Sequence, residues 1–108
     1  MSFQTDAKNA FEAMHSWVSV AGDSFNKALT LADQADAALE SGNDGLYITL
    51  MMQSAAEFRG TKQSIKAAYA AKMHMYECML NGGVDVLRYM CEEVFSVIPD
   101  ITEEDFQS

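Results

Sequence analysis

Residues 7–39 read AKNAFEAMHSWVSVAGDSFNKALTLADQADAAL. Within them Ala7, Phe11, Met14, Val18, Ala21, Phe25, Ala28, Ala32, Ala35 and Leu39 are separated by alternating steps of four and three. Such spacing keeps one stripe of side chains on one side of an α-helix, and its heptad period is that of a coiled-coil seam. Half of the stripe is Ala, so a partner helix can approach closely along it. Gly22 lies inside the segment, where glycine costs about 1 kcal/mol against Ala, yet the stripe keeps phase across it. The reading is one continuous, bent helix over about residues 5–40. Ser41-Gly42-Asn43-Asp44-Gly45 then carries the glycines and turn formers that end a helix.

Working outward, a second helix is expected over about 45–81, its stripe formed by Ile48, Met51, Ala55, Phe58, Ile65, Tyr69, Tyr76 and Met79. Lys62 and Lys72 fall in the same register and have to extend their charge to solvent or meet an acid. Gly82-Gly83 stops this helix. A third is expected over about 84–98, with Val84, Leu87, Cys91, Val94 and Ile98 on one face, and Pro99 ends it. The fold class is therefore all-α: a long antiparallel helical hairpin with a third, shorter helix, forming a single domain over 1–99. Residues 100–108, with Glu103, Glu104 and Asp105, read as a mobile acidic tail.

A chain of 108 residues with 49% apolar content has enough for one core and is not a disordered tail. Its seven basic and sixteen acidic residues leave a net charge of −9. A net anion repels phosphate backbones and anionic bilayers, so nucleic acid is not an expected partner. No stretch reaches the apolar length of a membrane span, and the first nine residues lack the basic-then-apolar order of a signal peptide. The expected location is the cytoplasm, or outside after export without a cleaved signal. The charge is uneven: residues 1–44 carry −5, residues 45–81 carry +2 and residues 82–108 carry −6. A mildly basic helix between acidic neighbours fits antiparallel packing, and equally a contact with an acidic partner.

Chemistry is sparse. The sequence holds no nucleophile elbow, phosphate-binding loop, dinucleotide fingerprint or zinc-protease motif. The Gly-Asn-Asp-Gly turn puts Met51 where a calcium loop needs a bidentate Glu, so it reads as a helix–helix turn. Neither an enzyme nor a cofactor is expected. The densest group of soft ligands is Met73, His74, Met75, Cys78 and Met79. A tight hairpin at Gly82-Gly83 would bring Cys91 level with His74, so that His74, Met75, Cys78 and Cys91 are candidates for the kind of donor set Cu(I) prefers, although Met and Cys at helical spacing also fill ordinary cores. His15 reads as a partly exposed helix residue. Trp17 and Tyr89 flank their stripes as interface anchors or ordinary packing. Arg59, Lys62 and Lys66, spaced by three and four, make a basic stripe that is either a solvated face or a contact for an acidic surface.

The layout from Trp17 to about Lys72 resembles the needle subunits of type III secretion systems: two helices, a polar turn at Ser41–Gly45, then Gln53-Ser54, Glu57-Phe58, Gln63-Ser64 and Lys66 on the second helix. The resemblance covers about half the chain. It implies a small helical-hairpin subunit of a polymeric assembly. The sequence departs from that family in lacking a proline in the turn and in continuing past Gly82-Gly83. A lesser likeness is to WXG100-type secreted hairpins, although Trp17-Val18-Ser19 lies mid-helix and lacks the glycine of that motif.

The expected function is a non-enzymatic helical interaction protein that forms a homo-oligomer or hetero-assembly with protein partners. Its contact residues are Phe11, Val18, Phe25, Leu39, Phe58, Arg59, Lys62, Ile65, Lys66 and Tyr69. The specific form is a subunit of a secretion-type or filamentous assembly. The alternatives are a small cytoplasmic chaperone or adaptor that holds a partner's amphipathic helix, and a soft-metal binder built on the Met/His/Cys group.

Overall fold

The computed structural model describes residues 2–97; Ile98, Pro99 and the acidic stretch 100–108 lie outside the described residues. Helix α1 spans Phe3–Glu40 and runs through Gly22 without a break. Ser2 caps its start, its hydroxyl accepting from the Thr5 amide at 3.1 Å. At the far end Gly42 takes φ +79°, the left-handed conformation glycine adopts without steric cost. The Asn43 amide then donates to the Ala38 carbonyl at 2.9 Å and the Gly42 amide to Leu39 at 3.1 Å. These two bonds form a Schellman termination. Asn43 turns the chain directly into helix α2, Asp44–Gly82, by accepting from the Leu46 amide at 3.2 Å.

The two long helices pack as an antiparallel hairpin about 63 Å in extent. Gly83, also at φ +79°, ends α2, and its carbonyl accepts from both Val86 and Leu87 at 3.1 Å to start α3, Val84–Tyr89. A π-helical turn over Met90–Val94 and a 3₁₀ turn over Phe95–Val97 follow. Gly82 is required by space. A Cβ there would collide with Val86 and stand 2.9 Å from the Phe3 Cβ.

Packing shifts the expected seams by one residue. On α1 the column Ala7, Ala21, Ala28 and Ala35 is buried as expected, with Ala28 and Ala35 fully so. Its companion column, however, is Ala10, Ser24, Leu31 and Ala38 rather than Val18, Phe25 and Leu39. On α2 the inward residues are Leu50, Ser54, Thr61, Ser64, Ala68, Met75 and Cys78. Each lies one position before a residue of the expected register, Met51, Ala55, Lys62, Ile65, Tyr69, Tyr76 and Met79, and of the expected stripe Ile48, Met51, Phe58, Ile65, Tyr69 and Tyr76 are exposed.

The physical reason is close approach. Methyl and hydroxyl side chains let the backbones come near enough for hydroxyls to bond across the interface. The Ser54 hydroxyl donates to the Ala28 carbonyl at 2.8 Å, and the Ser24 and Thr61 hydroxyls meet at 3.0 Å. Among the described residues no buried side-chain polar atom lacks a partner, so these groups cost little to bury.

Larger apolar residues hold the two ends. At the open end Ala7, Ala10, Phe11, Met75 and Cys78 form a cluster with Val86, Met90 and Val94, with Met79 and Phe95 packed against it. At the turn end Ala35, Ala38 and Leu50 pack with Leu31 and Tyr47. The third segment also differs from expectation: Val84, Leu87 and Cys91 are exposed, and only Val94 of the expected face that the structure describes is buried. Val86, Met90 and Val94 face inward instead. Steps of four drift around an α-helix, and the wider π turn at Met90–Val94 keeps the last of them on the buried side.

Gly22 is exposed, and a Cβ placed on it meets nothing within 4 Å. Gly22→Ala is therefore expected to stabilise the fold by about 0.5–1 kcal/mol through the lower conformational entropy of the unfolded chain. A denaturant melt that shows no gain would mean that α1 needs glycine there for bending.

Candidate functional site

The large apolar residues displaced from the hairpin's own seam gather on one side of it. Phe11, Val18, Phe25, Ala32 and Leu39 are seven apart on α1, and Met51, Phe58, Ile65, Lys72 and Met79 are seven apart on α2. Because the adjoining Ala7–Ala35 column stays against α2 throughout, each of these columns keeps to one side of the seam. Phe25 and Phe58 show that it is the same side, since their rings meet edge to face with centroids 5.7 Å apart. The far ends agree. Phe11 and Met79 both belong to the cluster that α3 and the turns after it cover, with Phe95 5.3 Å from Phe11.

The third segment thus lies over one end of a two-helix face and leaves the rest open. Phe11 is buried beneath it, whereas Val18, Phe25, Leu39, Phe58, Ile65 and Tyr69 keep between 38% (Phe58) and 61% (Tyr69) of their surface exposed. Contiguous exposed apolar surface of this kind marks contact sites in soluble proteins. Arg59, Lys62 and Lys66 are exposed along α2, and among the described residues none of them makes an ion pair. Lys72 is half-buried, its Nζ 6.0 and 5.8 Å from the ring centroids of Tyr69 and Tyr76, a cation–π arrangement that resolves the charge in the stripe.

A second apolar feature adjoins the first. An open groove of about 580 Å³ lies at the α2–α3 corner, lined by Tyr76, Met79, Leu80, Gly83, Val84 and Leu87. Leu80 is 83% exposed, the most of any large apolar residue described. Sequence reasoning missed Leu80 as a surface residue because it lies off the helical stripe. Its signal was its place just before Gly82-Gly83, where a chain reversal had to leave one side of α2 uncovered. Trp17, 43% exposed, shares the heptad column of Ala10 and Ser24, across the buried Ala7–Ala35 column from the open face.

The soft-ligand set is only partly brought together. His74 Nε2 lies 3.8 Å from Cys78 Sγ, and His74 Nδ1 lies 3.9 Å from a Glu77 carboxylate oxygen. Met75 is buried in the core, while Cys91 is exposed. Both cysteines are free thiols. Burial pushes the Cys78 thiol above its ordinary pKa, and the carboxylates of Asp6 and Glu77 push the same way. All three effects disfavour the thiolate that a metal or an electrophile needs. Among the described residues no group of three or more His, Cys, Asp and Glu side chains is placed to hold a metal ion. Nor is any helix among them long and apolar enough to cross a membrane. His15 stacks edge to face on Phe11, centroids 4.5 Å apart, which gives the ring a packing role.

No protein-family model, curated protein or solved structure matches this chain.

Proposed function

We propose that this chain is a non-enzymatic assembly protein, in which the open apolar face of the hairpin packs against a helix of another polypeptide. One observation supports this above the rest. The two long helices place Ala, Ser and Thr between themselves and turn Val18, Phe25, Phe58 and Ile65 outward. A hairpin built only for its own stability gains most by burying its largest apolar side chains, at about 1.5–3 kcal/mol each. Within this class, the needle-like layout favours a secretion-type or filamentous assembly as the setting. The basic residues Arg59, Lys62 and Lys66 beside the face supply orientation more than affinity.

A second reading, a chaperone or adaptor that holds a partner's amphipathic helix, draws on the apolar groove at the α2–α3 corner. It uses a different surface and is separable by experiment.

Photo-crosslinking in cells that make the protein tests the proposal. A benzophenone amino acid replacing Phe25 or Phe58 is expected to give polypeptide adducts. The same group at Lys27 or Gln53, each on the other side of the seam residue beside it, is expected to give few. Adducts confined to a label at Leu80 or Val84 would transfer the function to the groove. No adduct from any position would end the assembly reading.

A further inference from the structure

We infer that the occupant of the open face is a second copy of this chain, laid antiparallel on the first, so that the turn of each hairpin comes up against the α3 segment of the other. This rests on the assembly reading and adds partner, orientation and contact.

The face is already a helix seat. Over Phe11 and Met79 it is covered by the chain's own α3 segment, and from Val18 and Ile65 onward the same columns continue uncovered. A helical layer that continues this packing has the right shape for the remainder.

The α3 segment also forms a step at the open end, and the step decides direction. A second hairpin laid parallel would bring its own α3 to the level that the first α3 already fills. Laid antiparallel, its α3 lies at the opposite end, its turn meets the step, and each open stretch covers the other. That arrangement has a two-fold axis across the hairpins and closes on itself. With the axis midway between Val18 and Leu39, Phe25 of each copy falls opposite Ala32 of the other, large against small.

The area is sufficient. From Val18 to Leu39 the face runs about 31 Å at the helical rise and about 20 Å across two helices. This gives on the order of 600 Å² in projection for each copy, near the ~800 Å² of accessible surface that a stable dimer buries per partner.

The test uses the purified full chain. Light scattering after size exclusion, over a hundredfold concentration range, is expected to give about twice the 11.9 kDa chain mass. Phe25→Asp and Phe58→Asp should each keep their helicity and weaken the dimer at least tenfold. Val20→Asp, also a charge at an exposed apolar position but across the seam, should leave it unchanged. A spin label on Glu40→Cys in a Cys91→Ser background, with buried Cys78 left in place, reads the direction. Antiparallel copies put the two labels about 35 Å apart, parallel copies within about 20 Å.

A monomer throughout the range, growth beyond a dimer, a short label distance or an unaffected Phe25→Asp dimer would each overturn the inference. A monomer that still gives cellular adducts at Phe25 and Phe58 overturns self-pairing and leaves the assembly reading standing. A monomer without adducts removes both.

Discussion

Met90→Ala is expected to lose about 2–5 kcal/mol and to release the third segment from the hairpin. Met90 is the largest fully buried side chain described, and it sits between Val86 and Val94 against Phe11, Met75 and Cys78. Truncation removes that contact and leaves a cavity that α3, a helix of only six residues, has no second interface to close. Denaturant melts read the loss. Amide exchange locates it: protection should fall over 84–97 and persist around Ser54 and Thr61. Unchanged stability would mean that Met90 is not the residue fastening this segment.

The second large effect is expected at a small residue. Ala28 is fully buried, and its carbonyl takes the Ser54 hydroxyl at 2.8 Å. Ala28→Leu drives three more carbons between helices that are close enough for hydroxyl bonds to span them. Overpacking of this kind costs about 1–3 kcal/mol, and separating the helices also strands the Ser54 hydroxyl and parts Ser24 from Thr61. Phe25→Ala removes far more surface but touches a side chain already 43% exposed, so the folded monomer should lose less than about 1 kcal/mol. The order of these two variants, small residue critical and large residue dispensable, separates this seam from one built on the large stripe. A melt in which Phe25→Ala is the worse variant of the monomer would reverse the assignment.

The helices and their ends were legible because their signals are local. Heptad spacing declared α1, and Gly42 and Gly82-Gly83 marked the two reversals. The phase of the hairpin was not. On α2 the columns through Phe58 and through Thr61 have the same three-and-four spacing, one residue out of step, and periodicity cannot choose between them. Hydrophobicity chose the wrong one, because Ser54, Thr61 and Ser64 read as surface residues until their hydroxyls find carbonyls or, for Thr61, the Ser24 hydroxyl. The third segment was misphased for a related reason. Its face of Val86, Met90 and Val94 depends on a π turn, which has no compositional mark.

The candidate contact residues were thus named from the sequence as a stripe, but their direction was not. Val18, Phe25, Phe58 and Ile65 stood in the stripe read as the seam, and in the hairpin they lie beside the seam, partly exposed, with Phe25 and Phe58 meeting each other along its edge. Leu80 and Val84, which line the corner groove, became visible only once the chain reversal at Gly83 was in place.

The short connection between the long helices has a consequence for alignment. Ala21, Ala28 and Ala35 offer nearly equivalent seats every seven residues, so side-chain packing along the middle of the hairpin distinguishes poorly between registers. Ser41, Gly42 and Asn43 leave no slack for sliding, because bonds from their amides to Ala37, Leu39 and Ala38 fix where the first pair of residues meets. Helices of 38 and 39 residues are therefore set in place by three, and whatever lengthens that connection makes the pairing itself plural.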